Sequence, residues 1–317
     1  ARLELALFAW HARLDEDARR LANQVGASDE AEALLAAHGS DPRWGTARRK
    51  ALSSGGGNAA TEKAVKRALD WLAAHQDEDG KLDADGFQRH DPADDRCDGQ
   101  GGGHHGEPVP CGYDGVTTAV ALMAWLASGS TPVSGPYRDN VKRGLAWCRR
   151  HVRAGLRHPY GMWNYGFCTQ AVADAYALTR DPTLREPLRQ AVAAILSLQR
   201  ADGGWSYYMT IGDVPTTGVA GSALGLCRRA GIPVPAEAVD QCMAFLDARV
   251  DPGKGRSEYH DGAERKRYTP TRANTAAGLT VRALLGRLDE AKLLGKQVSA
   301  LGGRKPVWKI EFKEVKT

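Results

Sequence analysis

The chain has 317 residues, of which 42% are hydrophobic and 26% charged, and its mean hydropathy is −0.44. These are ordinary globular values, and no run approaches the roughly eighteen apolar residues of a transmembrane helix, so we expect no membrane span. The formal net charge of +5 comes from basic residues scattered through helical stretches, without a dedicated stripe and interleaved aromatic rings, so nucleic acid is not an expected partner.

The first 60 residues precede the main repetitive part of the chain. Residues 1–50 are predicted as an N-terminal helical extension, because apolar residues such as Leu3, Leu7 and Leu14 suit amphipathic helices. Residues 51–60 are rich in Gly, Ser and Ala, which predicts a flexible linker. The sequence begins with Ala1 instead of Met, so we expect that it has been processed or trimmed.

Four segments of similar pattern follow, and they begin at Val65, Val141, Leu188 and Val239. In each segment the apolar residues recur at i, i+4 and i+7, which predicts a helix with one buried face. Two copies continue into a matching turn, Gln76–Gly80–Leu82 and Gln199–Gly203–Trp205, where glycine is expected to end the helix.

A second kind of helix is predicted between these copies, at about residues 114–128, 164–180, 215–230 and 271–286. These segments are rich in Ala, Gly, Thr and Leu, which allow close backbone approach, so we expect them to be inner helices and the polar copies to be outer ones. Antiparallel pairs of this kind must stack to bury their faces. The pattern predicts an all-α fold, an α/α toroid over residues 61–286, followed by a tail over 287–317 whose end could form an edge strand.

The motifs Trp71–Leu72 with Gln76–Gly80–Leu82, and Ile195 with Gln199–Gly203–Trp205, resemble the Gln-Trp repeats of squalene and oxidosqualene cyclases. Protein prenyltransferase β subunits share that architecture. The chain is most similar to an uncharacterised bacterial group of prenyltransferase/squalene-oxidase repeat proteins, in which a turn like Asp79-Gly-Lys-Leu-Asp83-Ala-Asp85-Gly86-Phe87 is common. The resemblance covers about residues 61–286 and implies the toroid fold far more strongly than any activity.

An enzyme of this class would place its site at the mouth of the barrel. A cyclase needs clustered aspartates, whereas the inner helices here begin with single ones, Asp114 and Asp213. The candidate catalytic residues are therefore Asp114, Asp213, Tyr165 and His260. The candidate ligand-binding residues are the aromatic side chains Trp163, Tyr165, Phe167 and Tyr259, of which the first three are also compatible with ordinary core packing.

The stretch from Asp77 to Asp114 is the most unusual, because nine acidic residues lie between Asp77 and Asp98. Its glycines do not have the spacing of an EF-hand. Three alternatives stay open for its second half: a Cys97–Cys111 disulfide, a metal ion held by Cys97, Cys111 and His104 or His105, or neither. The prenyltransferase zinc set is a poor match, since Asp95 and Cys97 belong to the first repeat and His260 to the fourth.

Two hypotheses of different classes follow. The first is a non-catalytic toroid that binds a protein partner or another subunit of an assembly, and it is preferred because no complete aspartate, zinc or thioester set is present. The second is a terpenoid-cyclase-like or prenyltransferase-like enzyme, or a toroidal polysaccharide lyase. The bacterial resemblance and the oxidising compartment that a disulfide requires lead us to expect an exported protein, periplasmic or extracellular.

Overall fold

The computed structural model describes residues 50, 52–94, 112–156, 161–206, 211–259 and 270–301. These ranges are mostly helical and contain no β-strand, only isolated bridges such as Trp205–Asp213 and Ser257–Thr271. The predicted all-α class is confirmed for this part of the chain. Cys97, His104, His105, Cys111 and His260, with residues 1–49 and the end of the tail, lie outside the described residues.

The helices alternate between the two predicted kinds. In chain order they are α1 (Ala59–Ala74), α2 (Asp114–Ala127), α3 (Arg138–Arg153), α4 (Met162–Thr179), α5 (Arg185–Leu196), α6 (Val214–Arg229), α7 (Ala236–Ala248), α8 (Arg272–Leu285) and α9 (Leu294–Leu301). The odd-numbered helices from α1 to α7 are the predicted polar copies, and α2, α4, α6 and α8 are the predicted small-residue copies. Helices are thus present at all eight predicted places in this part of the chain.

The ends of the helices follow from local chemistry. Asn58 caps α1, because its side chain accepts hydrogen bonds from the N–H groups of Ala60 and Thr61, and the Thr61 hydroxyl completes a capping box. The helix therefore starts inside the stretch that the sequence predicts as linker. Gly286 ends α8 with φ +72, a left-handed conformation that glycine adopts at little cost.

The chain divides into two compact units. One comprises residues 1–198 with 222–234, and the other comprises residues 199–221 with 235–317. In the first unit α3 packs against both α2 and α4, which also pack on each other, and α5 packs against α3 and α4. In the second unit α7 packs against α8, and α8 packs against α9. Helix α9 lies in the range predicted as a tail, and the sequence pattern did not indicate it.

Burial separates the two kinds of helix. The small-residue helix α4 buries eleven of its 18 residues, whereas the polar helix α1 buries only Leu69. Small side chains make this possible: Gly218 and Gly221 of α6 face Ala277 and Val281 of α8 in the second unit, where a Cβ on either glycine would be closer than ordinary contact. The small residues of these helices are thus used for close packing within each unit.

Candidate functional site

The turn after α1 contains a network of ion pairs and hydrogen bonds. Here the Lys81 ammonium lies 2.9 Å from Asp83 Oδ2 and 3.2 Å from Asp114 Oδ2. Arg89 contacts the carboxylates of Asp83 and Asp77, and the Asp114 Oδ1 atom accepts a hydrogen bond of 2.9 Å from the Ala84 N–H group. The turn therefore matches its carboxylates with its own cations and joins them to the start of α2.

The charges of this network stabilise each other. Burial works against the charged form of Asp83, but hydrogen bonds from Lys81 and from the N–H groups of Asp85 and Gly86 hold the pKa of its carboxyl well below the usual value. Burial likewise opposes the charged form of Lys81, yet hydrogen bonds to Asp83 and Asp114 raise its pKa above the ordinary value. Both groups are charged across the physiological range.

Three carboxylates in and next to the turn are arranged as in a cation site. Asp83, Asp85 and Asp114 each offer an oxygen atom, and these atoms lie within 4.8 Å of one another. Oxygen ligands suit hard cations such as Ca²⁺. Lys81 already contacts two of the three, so a metal ion would have to compete with a built-in ammonium group. The predicted metal in the 77–114 loop thus has a possible oxygen set that sequence reasoning did not identify.

A histidine fixes the far end of the same turn. His75 is 4% exposed, stacks on the Trp71 ring at 3.8 Å and places Nδ1 2.7 Å from the Trp71 carbonyl oxygen. Its Nε2 atom lies 2.8 Å from Asp91 Oδ1, and His90 Nε2 lies 2.7 Å from Asp77 Oδ1. Residues 77–91 are therefore held against the end of α1 by side chains whose pairing was not predicted.

The aspartate at the start of α6 is buried and caps the helix. Asp213 is 3% exposed, and its Oδ1 atom accepts a hydrogen bond of 2.7 Å from the Thr216 N–H group. The Val214 N–H group donates to the Tyr259 carbonyl oxygen at 2.8 Å, so the structure brings the predicted residues Asp213 and Tyr259 next to each other within the second unit. The Asp213 side chain thus caps α6, while the contact with Tyr259 is a hydrogen bond between backbone atoms.

The predicted aromatic cluster on α4 divides into two environments. Trp163 and Phe167 are partly exposed and stack with their ring centroids 6.3 Å apart. Tyr165 is 1% exposed, and burial, with a contribution from Cys227, raises the pKa of its hydroxyl to about 12. Trp163 and Phe167 are therefore available to a ligand, and Tyr165 is a core residue.

Five apolar residues of α2 that are not buried form a stripe that sequence reasoning missed. Two of them are exposed, Val120 and Ala127, and the other three are partly exposed: Val116, Met123 and Ala124. The two remaining unburied residues of α2, Asp114 and Thr117, are polar and contact the turn after α1. Gly144 of α3 approaches Leu122, which marks the side of α2 that faces α3. At about 100° per residue the stripe lies on the other side of α2, away from α3.

Helix α4 has a covered side and a partly exposed one. The buried Cys168 thiol donates a hydrogen bond of 3.4 Å to the Gly115 carbonyl oxygen of α2, whereas Trp163 and Phe167 are partly exposed. Helices α2 and α4 pack against each other, and the apolar side chains that the two helices leave at least partly exposed are here called the α2–α4 face. Its members are Val116, Val120, Met123, Ala124, Ala127, Trp163 and Phe167. Exposed apolar side chains grouped on one pair of helices are typical of binding sites.

The described cysteines are poor nucleophiles. Cys148, Cys168, Cys227 and Cys242 are buried and unpaired, and burial raises the pKa of the Cys227 and Cys242 thiols to about 12. Burial and the hydrogen bond to Cys148 raise the pKa of Cys168 well above its ordinary value. These side chains act as small apolar residues, as predicted for cysteines in helices.

Comparison of the chain with known protein families, with curated proteins and with solved structures finds no match. Within the described ranges, none of the helices combines the length and the apolar character needed to cross a bilayer.

Proposed function

We propose that the chain is a non-catalytic helical-repeat module of the α/α toroid type that binds a segment of a protein partner on the α2–α4 face, which in a toroid is the side of the inner helices turned toward the axis. The single observation that carries the proposal is the composition of that face. Val120 is 47% exposed, Val116 and Met123 of the same helix are partly exposed, and the stacked Trp163 and Phe167 rings lie on the neighbouring helix. Leaving such side chains in water is unfavourable, and covering them with a partner recovers the cost.

The shape of the face favours a helical segment as the partner. Small residues such as Ala124 and Ala127 among larger apolar ones suit the close approach of an amphipathic helix with its apolar side. Trp163 and Phe167 provide the rigid aromatic contacts that usually dominate binding energy at an interface. A partner with apolar residues at i, i+4 and i+7 fits this surface.

The candidate catalytic groups support binding over catalysis. Asp114 is engaged by Lys81 and by the Ala84 N–H group, Asp213 caps α6 while almost completely buried, and Tyr165 lies in the core. A general acid must reach its substrate with a proton to give. Each of these groups instead has a structural role within its own unit.

The proposed toroid is supported by the recurrence of one turn. In both Gln76–Leu82 and Gln199–Trp205 the glutamine amide donates to the glycine carbonyl at 3.0 Å and to a carbonyl in the first turn of the next polar helix. A connection that recurs after α1 and after α5 is typical of repeat proteins, in which each repeat contacts the next in a similar way.

The test is site-specific photo-crosslinking with a photoreactive amino acid at position 120, in extracts of the source organism. The matched control places it at Val65, which is equally exposed at 47% but lies on α1, outside the face. We expect one protein to crosslink at position 120 and not at 65, and its purified form to lose roughly tenfold or more in affinity for the Val120→Asp chain. Capture of an isoprenoid or a saccharide at position 120 would contradict the proposal and favour an enzyme.

A further inference from the structure

Helix α3 carries a concentration of positive charge that its surroundings do not neutralise. Its 16 residues contain six basic side chains and one acidic side chain, Asp139. Among the described residues Asp139 forms an ion pair only with Arg138, at 3.1 Å. By contrast α7 has three acidic and no basic residues, and two of its carboxylates are matched by arginines, Asp240 by Arg287 at 2.5 Å and Asp247 by Arg282 at 2.6 Å.

Four of these cations form a straight row. Arg138, Lys142, Arg149 and Arg153 follow each other at intervals of four, seven and four residues, which keeps them on one side of the helix over about 22 Å. Ala146 fills the gap in the middle. The four cations, called the α3 stripe, are exposed except for Arg149, which is partly exposed and donates to the Thr183 hydroxyl at 3.1 Å.

The helix dipole favours the positions of only two of the four cations in the α3 stripe. Arg149 and Arg153 lie near the C-terminus, where cations are favourable. Arg138 and Lys142 lie in the first turns, where cations oppose the helix dipole, and like charges four residues apart destabilise a helix. These two residues therefore cost stability where they stand.

The other two cations of α3 contact the acidic turn after α1, which limits the width of a partner on this side of the helix. Arg143 donates to Gln76 Oε1 at 2.9 Å, and Arg150 donates to the Asp79 carbonyl oxygen at 3.0 Å, so both are engaged by the turn after α1. That turn exposes the carboxylates of Glu78 and Asp79 on this edge. A wide polyanion, such as a nucleic-acid duplex or an anionic membrane, would meet these carboxylates.

We propose that the α3 stripe is a second docking surface, independent of the α2–α4 face, that binds an acidic segment of a polypeptide. A helix with carboxylates at the same intervals pairs with all four cations, and Arg presents a planar donor fork to a carboxylate. Trp147 stacks on His151 and lies off the row, so the stripe provides no ring for base stacking. At the N-terminal end of α3 an open cleft of about 310 Å³, lined by Val133, Pro136 and Asn140 among others, extends the surface.

The experiment measures binding of a fluorescent oligo-glutamate peptide to the full chain by anisotropy, at low and high ionic strength. We expect binding that weakens with salt and that falls roughly tenfold or more when Lys142, Arg149 and Arg153 are all changed to Glu. The matched control changes Lys63, Arg67 and Arg229 to Glu, since these exposed cations lie off the stripe and alter the net charge equally. A triple change to Gln, which avoids acidic residues at the C-terminus of α3, keeps the test valid if the Glu variant does not fold.

Three outcomes would overturn the proposal. The first is no binding of the peptide at low ionic strength, and the second is an equal loss in the control variant. The third is tighter, stripe-dependent binding of a duplex oligonucleotide or of phosphatidylserine vesicles than of the peptide, which would assign the stripe to another class of partner.

Discussion

The turn Gln76–Leu82 in the first unit and the turn Gln199–Trp205 in the second have the same backbone design with different side chains. In both, a glycine with positive φ, +99 at Gly80 and +87 at Gly203, lies against a carbonyl of the next polar helix. In both, the residue two positions later donates its N–H to a threonine hydroxyl of the following helix: Leu82 to Thr118 at 2.8 Å, and Trp205 to Thr217 at 2.9 Å.

The side chains on this shared frame differ in kind. The first turn adds Lys81 and Asp83, which join a charged network, whereas Gly204 and the buried Ser206 occupy the corresponding positions of the second turn. The second turn instead buries Trp205 completely. The two turns therefore share the hydrogen bonds of the frame but differ in their charges: Lys81 and Asp83 form a network in the first, whereas in the second Asp202 pairs with the buried Arg249 at 3.4 Å.

The largest effect is expected from the two glycines. Changing Gly80 or Gly203 to Ala places a Cβ onto the carbonyl oxygen of Arg143 or Gln241 and also strains a left-handed backbone, so each should lower the free energy of unfolding by about 3–5 kcal/mol. Urea denaturation followed by circular dichroism measures the change.

The matched control is Gly155→Ala. Gly155 has a similar φ of +80, but no atom of the described residues lies within 4 Å of the added Cβ, so we expect only the backbone cost of about 1–2 kcal/mol. Equal losses in all three variants would show that close approach to the next helix is not what the turn glycine provides.

A smaller and unequal effect is expected from the two glutamines. Gln76→Leu removes two donated hydrogen bonds and also leaves the Asn140 and Arg143 donors without the Oε1 acceptor, at 3.0 and 2.9 Å. Gln199→Leu removes the two donated bonds alone. We expect losses of about 2–3 kcal/mol for Gln76 and about 1–2 kcal/mol for Gln199 in the same denaturation assay. A larger loss at Gln199 would break the parallel between the two turns.

Much of this frame was predictable because helix periodicity and glycine are local signals. The four helix pairs and the two glycine turns follow from apolar spacing around Val65, Val141, Leu188 and Val239. The partners of the glutamines were not predictable, since Asn140 and Ala238 lie on helices distant in sequence. Helix α9 was missed because its short segment carries no comparable signal.

The candidate site was harder to predict than the fold. The apolar stripe of α2 has the same composition as a buried stripe, and only the positions of α3 and α4 decide which side of it is covered. The sequence likewise does not show which basic residues of α3 have partners, and the structure shows that Arg138 pairs with Asp139 and that Arg149 donates to Thr183. The roles expected for Cys97, His104, His105, Cys111 and His260 stay predictions.

The smallest effect is expected from the network that only the first turn has. Asp83→Asn keeps acceptors for the N–H groups of Asp85 and Gly86 but removes the charge that pairs with Lys81 and Arg89, so we expect a loss of about 1 kcal/mol at neutral pH.

This loss should depend on pH in one direction. The folded state lowers the pKa of Asp83 below its unfolded value of about 3.9, so the carboxylate stabilises the fold above that pH and the contribution disappears as the pH falls further. The difference in stability between the two chains should begin to shrink below about pH 4 and keep shrinking as the pH falls toward the lowered pKa of Asp83. A difference that stays constant down to pH 2 would mean that the charge is not what Asp83 contributes.

The central claim, that the α2–α4 face binds a protein and that the aspartate at the start of α2 serves structure, is tested most directly by calorimetric titration of the partner captured at position 120. Val120→Asp should weaken binding roughly tenfold or more, and Asp114→Asn should leave the affinity within about twofold. Unchanged binding by Val120→Asp, with a loss confined to Asp114→Asn, would contradict it.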